Sequence, residues 1–124
     1  MPPNLRSGTE GRKKMSLAGL DIGTTGCKVT VYDEEGVFLY RGYREYPVSR
    51  STGEHEVNAE MIWESVKCLL TEIGSRYKDI RAMGVTSFGE TCVLLDEEDR
   101  PVRPAMLYTD PRGAEECRSL TDML

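Results

Sequence analysis

The chain has 124 residues, 39% hydrophobic and 30% charged, with a formal net charge of -5. That length suits one domain or a piece of a larger one, with enough chain to bury a real core. The acidic balance lacks the basic footprint of a nucleic-acid binder, and no apolar run is long enough to suggest a membrane span, so neither partner is expected.

Residues 1–14 are polar and aperiodic, with Pro2, Pro3, Gly8 and Gly11, and read as a disordered leader or tag; residues 15–124 carry the fold. From Leu17 the pattern changes. LAGLDI is a short apolar strand, and GTTG turns the chain. KVTVYD then alternates strictly, with Val29 and Val31 on one face and Lys28, Thr30 and Tyr32 on the other. After a second turn at Asp33–Gly36, VFLYRGYREYPV gives a third strand, completing an antiparallel meander.

Ser49–Val57 reads as a polar loop. Asn58 is placed to cap a helix, with Glu60 favourable in its first turn. Met61, Ile62, Val66, Leu69, Leu70, Ile73 and Tyr77 recur at helical spacing, ending near Gly74–Lys78. Trp63 beside this stripe is expected to pack against the sheet.

Ile80–Thr86 reads as a buried strand, Ser87–Thr91 as a polar turn and Cys92–Leu95 as a short strand. Pro101–Tyr108 is extended, and Asp110-Pro111 opens a final helix. The order β-β-β-α-β-β-α predicts an α/β fold, a mixed sheet carrying a helix. It matches the first half of a ribonuclease-H-like, actin-like ATPase fold.

Three constellations could carry chemistry. In the first, Asp21 leaves the strand beside a turn built from Gly23, Thr24, Thr25 and Gly26, with Lys28 starting the next strand. Turn N–H groups and two hydroxyls can cradle phosphate, an ammonium can offset its charge, and a carboxylate is a hard ligand for magnesium. The competing reading is a plain hairpin with a surface Asp; a P-loop is excluded, since its motif is absent. The second is the turn Ser87–Thr91 at a strand end, where Glu90 could accept sugar hydroxyls and Gly89 could admit substrate, or Glu90 could be simply solvated. The third is Tyr108, Asp110 and Arg112: either a pocket rim, or a helix cap with an Arg on the helix face.

His55 stands alone in the sequence, and no two of Cys27, Cys68, Cys92 and Cys117 sit at C-x-x-C spacing. A zinc site is therefore not expected. The cysteines read as reduced thiols of a cytoplasmic protein.

Together these motifs resemble the FGGY carbohydrate kinases, over Leu17 to about Leu120. GLDIGTTGCKVTVYDEEG resembles the family's opening hairpin, EVNAEMIWESV its first-helix segment, and IRAMGVTSFGETCVLLDEEDRPVRPAMLYTDPR its sugar-contacting stretch. The resemblance implies an ATP-dependent kinase of a sugar or polyol. Asp21, Gly23, Thr24, Thr25, Gly26 and Lys28 would serve ATP and Mg2+, with Asp21 as the metal ligand; Gly89, Glu90, Asp110 and Arg112 would serve the sugar. Gly89-Glu90 stands where xylulokinases carry Met-His and glycerol kinases Arg-Glu, and Tyr108 where Trp is common, so the sugar stays unnamed.

The family's catalytic Asp, adenosine site and second domain lie downstream of the matched stretch. No catalytic base is therefore expected in this segment, and the segment alone is expected to be inactive. A ribonuclease-H-like nuclease, or a non-catalytic module that self-associates through an unpaired sheet edge, are the alternatives.

Overall fold

The structure is a computed structural model and describes residues 15–124, so the expected leader lies outside the described residues. Three strands open it: β1 (Ser16–Ile22), β2 (Gly26–Asp33) and β3 (Phe38–Glu45). They pair as the expected meander, β1 antiparallel to β2 and β2 antiparallel to β3. Alternation sets their faces: Ala18, Leu20, Val29 and Val31 are buried on one side, while Asp21, Lys28 and Thr30 take the other.

A second hairpin follows, β4 (Val48–Ser51) and β5 (Glu54–Val57), turning at Gly53 with φ +88°. This corrects the expected polar loop. Only Val57 of this hairpin is buried, so its strands carry almost no apolar signal. Helix α1 (Ala59–Arg76) begins as predicted, with Asn58 Oδ1 accepting from the Glu60 N–H at 2.8 Å. It lays Val66, Leu69 and Ile73 over β2 and β3. The approach is close at Gly42, where a Cβ would lie 2.8 Å from Leu69 Cδ2. Trp63 does not join this contact. It is 55% exposed, with the Lys67 ammonium 5.8 Å from its ring centre, because it projects from the helix away from the buried stripe.

Strand β6 (Ile80–Ser87) pairs parallel to β1 and completes a four-stranded sheet ordered β3-β2-β1-β6. The expectation of burial fails here. Every residue after Ile80 is exposed, Val85 by 59%. β6 is the sheet edge, and α1 covers β2 and β3 rather than β6.

Cys92–Leu95 forms no strand. One bridge, Leu95 to Pro101, and the Val102 N–H donating to Leu94 O at 2.9 Å close a loop instead. Asp96 organises its tip by accepting from the N–H groups of Glu98 and Arg100. Strand β7 (Ala105–Met106) then adds to β5, giving a small sheet ordered β4-β5-β7. Helix α2 (Ala114–Thr121) starts after Gly113, not at Asp110-Pro111, and buries no residue. Asp110 cannot cap it because its carboxylate is engaged elsewhere.

Candidate functional site

β1 and β6 run parallel, so their C-terminal ends lie side by side, with Ile22 opposite Ser87. The β1–β2 turn leaves one end and the Phe88–Glu90 bend leaves the other. The Phe88 N–H donates to Ile22 O at 3.2 Å and ties the two together.

On the sheet face away from α1, an open groove of about 450 Å3 runs up to the first turn. Its floor is the Gly19–Gly84 pair, which carries no side chains, and its walls include Asp21, Lys28, Thr30 and Thr86. Lys28 Nζ lies 3.3 Å from Asp21 Oδ2, both groups part-exposed. The groove thus presents a cation, a hard carboxylate oxygen and two hydroxyls within a few residues of one another. Thr30, Gly84 and Thr86 escaped the sequence reading. Register supplies the missing signal, since Thr86 is the parallel partner of Asp21 and Gly84 that of Gly19.

The turn is stiffer than its glycines suggest. Gly23 N–H donates to Gly26 O at 2.9 Å, and the Tyr46 N–H to Thr25 O at 3.3 Å. The Tyr46 hydroxyl donates to Gly23 O, and burial pushes that phenol up to about 12. Neither Gly23 nor Gly26 has a positive φ. Gly26 is needed for space: a Cβ there would lie 2.5 Å from the Tyr43 hydroxyl and 2.7 Å from Arg44 O. The Gly23 N–H, one of the turn donors expected to face phosphate, is spent inside the hairpin. The N–H groups of Thr24 and Thr25 have no protein acceptor among the described residues.

Beyond the Phe88–Glu90 bend, a depression of about 360 Å3 brings Glu90, Leu94, Met106, Tyr108 and Asp110 together. Glu90 is exposed, and space around Gly89 is open. Asp110 is different. Its side chain is 1% exposed, and its oxygens accept from the N–H groups of His55 (2.7 Å) and Arg112 (3.0 Å) and from Arg112 Nε (2.9 Å) and Nη2 (2.6 Å). The Arg112 guanidinium holds the Asp110 carboxyl well below the usual carboxylate range.

Arg112 also reaches Glu56 Oε1 at 2.6 Å, which Arg103 shares at 2.9 Å, and these two guanidiniums lower Glu56 as well. Of the three residues expected at a pocket rim, Tyr108 and Asp110 line the depression and Arg112 does not, its guanidinium being engaged with Asp110 and Glu56. His55 lies in β5, not in a loop, with its Nδ1 2.9 Å from Thr109 Oγ1. Among the described residues no group of three or more His, Cys, Asp or Glu could by itself hold a metal, and no helix is long and apolar enough to cross a membrane.

The sequence model for the FGGY family of carbohydrate kinases, N-terminal domain, matches residues 16–124. A xylulose kinase from Escherichia coli (strain K12) is 31% identical over 105 residues, covering 82% of this chain and 22% of that protein. A glycerol kinase from Synechocystis sp. (strain ATCC 27184 / PCC 6803 / Kazusa) is 34% identical over 114 residues, covering 85% and 22%. Among solved structures, xylulose kinase from Bifidobacterium adolescentis superposes with a TM-score of 0.75 at 28% identity, over 90% of this chain and 21% of that one. Xylulose kinase from Rhodospirillum rubrum gives 0.80 at 24%, over 88% and 23%. The chain thus spans less than a quarter of the length of these relatives. The meander, α1 and the parallel β6 are the opening half of the actin-like ATPase fold predicted from element order.

Proposed function

The chain belongs to the FGGY family of carbohydrate kinases, and from that premise we propose that it forms the N-terminal part of an enzyme transferring the ATP γ-phosphoryl group to a hydroxyl of a sugar or polyol. The observation that carries this reading is that two unlike surfaces are reached from the tied ends of β1 and β6, where Ile22 pairs with Ser87 and the Phe88 N–H donates to Ile22 O. One is a phosphate-type groove at Asp21 and Lys28; the other is a depression with an exposed carboxylate at Glu90. Phosphoryl transfer depends on positioning and charge stabilisation, and this juxtaposition supports both.

In this reading the Thr24 and Thr25 N–H and hydroxyl groups bind phosphate oxygens, and the Lys28 ammonium offsets their charge. Asp21 would hold Mg2+, to which its carboxylate offers a hard oxygen. Bound Mg2+ neutralises charge on the transferring group. Glu90 accepts from sugar hydroxyls, and the open space at Gly89 lets the ligand reach the backbone. Asp110 and Arg112 build the wall behind them. The catalytic base and the adenosine site come from the rest of the kinase.

The test is sugar-dependent ADP release. The full-length kinase carrying this segment is expected to turn over with at least one member of a panel of pentoses, hexitols and glycerol. The 124-residue chain alone is expected to read background, since general-base help alone is worth about a hundredfold or more. Steady turnover by the chain alone would contradict the assignment of the base elsewhere. The exposed outer edge of β6 also supports self-association of the isolated chain. A strictly monomeric mass by light scattering across a concentration series would remove that claim.

A further inference from the structure

Residues 107–110 form a tight turn whose polar groups are anchored on one strand. The Asp110 N–H donates to Leu107 O at 2.9 Å, and the Leu107 N–H to His55 O at 2.8 Å. His55 returns both its N–H, to Asp110 Oδ2 at 2.7 Å, and its ring, to Thr109 Oγ1 at 2.9 Å. Leu107 is buried beneath, and Tyr108 stands at the apex, 66% exposed, at the depression that also holds Glu90. The turn is thus fixed without any help from Tyr108.

What fixes it sits behind it. Arg112 grips Asp110 with two parallel donors and uses the same Nη2 to reach Glu56 at 2.6 Å. Arg103 approaches the same Glu56 oxygen at 2.9 Å. Glu56 is the residue of β5 next to His55, so its charge pins Arg112, and through it Asp110, to the strand that anchors the turn. Glu56 itself does not line the depression.

We propose that Glu56 is a positioning residue: with Arg112 and Asp110 it sets the Tyr108-bearing wall of the depression against Glu90, and so sets affinity for the sugar without touching it. This rests on the reading that the depression takes the sugar. A planar fork fixed at both ends holds direction as well as distance, which a single ammonium cannot do. A wall displaced by about an ångström is enough to weaken binding severalfold.

Glu56→Gln tests this, because it leaves the part-buried Arg112–Asp110 pair in place and is expected to fold. In the full-length kinase its sugar KM should rise roughly three- to tenfold, with kcat and nucleotide KM within about twofold of the parent. Arg112→Lys should shift the same constant in the same direction. The double variant should be no worse than Arg112→Lys alone, since one linkage cannot be lost twice. A folded Glu56→Gln enzyme with parental sugar KM overturns the proposal. So does a joint rise in sugar and nucleotide KM with a lowered melting midpoint, the mark of a purely structural role.

Glu90→Gln, assayed alongside, separates the proposal from its premise. Parental kinetics in that variant beside a sugar-specific Glu56 effect would remove Glu90 as an acceptor and keep the positioning role. Absence of sugar-dependent ADP release from the unsubstituted kinase overturns both.

Discussion

The two halves of the candidate site are held by different physics. The Asp21 hairpin is held by backbone pairing and one buried phenol: β1–β2 register, the Gly23–Gly26 bond and the Tyr46 hydroxyl on Gly23 O. The Tyr108 wall adds side-chain charge to its backbone bonds, with Asp110, Arg112, Glu56 and Arg103 in one network. A backbone-held site leaves its ionisable groups, Asp21 and Lys28, part-exposed and 3.3 Å from each other. A charge-held wall consumes its ionisable groups in holding itself.

This contrast can be broken by substitution. Arg112→Ala should have the largest effect on stability. It takes two guanidinium donors from the Asp110 carboxylate, and the loss is read as a shift in urea midpoint at unchanged slope. The part-exposed Asp21–Lys28 pair should behave oppositely, with Lys28→Met moving stability by about 1 kcal/mol or less. Equal losses in the two variants would erase the distinction.

Within the hairpin, Gly26→Ala forces a methyl against the Tyr43 hydroxyl and the Arg44 carbonyl and should cost about 1–3 kcal/mol. Tyr46→Phe loses one hydrogen bond to the turn and should cost about 0.5–1.5 kcal/mol.

The smallest and most diagnostic difference is in pH. Tyr46 is raised in the fold, so its contribution is whole below the usual phenol value near about 10 and is lost as pH climbs toward about 12. Asp110 is lowered, so its contribution is whole above the usual carboxylate value of about 3.9 and is lost as pH falls further. Urea midpoints should therefore show Tyr46→Phe losing part of the alkaline sensitivity and Asp110→Asn part of the acid sensitivity. Interchanged sensitivities would contradict the assignment of each group to its region.

The same contrast explains what the sequence disclosed. The hairpin was legible because its determinants are local: strict alternation in KVTVYD, a four-residue turn, and Asp21 one step from the strand end. The cap at Asn58 and the stripe of α1 were legible for the same reason. The β4–β5 hairpin was not, because Glu54, His55 and Glu56 look like loop and find their partners far along the chain. Glu56 meets Arg103 and Arg112 at separations of 47 and 56 residues.

Asp110 was legible as important but not as buried, since only the fold brings His55 over it. β6 misled in the other direction: its apolar run predicts a covered strand, yet coverage belongs to neighbouring layers, and α1 lies over β2 and β3 instead. Trp63 erred likewise, one step off a stripe that its bulk suggested it would join.

The central claim is that phosphate and sugar are handled by separate groups at the joined ends of β1 and β6. Steady-state kinetics of Asp21→Asn and Glu90→Gln in the full-length kinase, with both substrates varied, test it most directly. If Asp21 serves the phosphate side as proposed, Asp21→Asn should lower kcat on the order of a hundredfold, because charge stabilisation strengthens toward the transition state, and should leave sugar KM near the parent. Glu90→Gln should raise sugar KM on the order of tenfold, because a charged acceptor becomes a mixed amide against the same hydroxyls, and should leave nucleotide KM unchanged. Parental kinetics in both variants, or the same loss in both, would contradict the account.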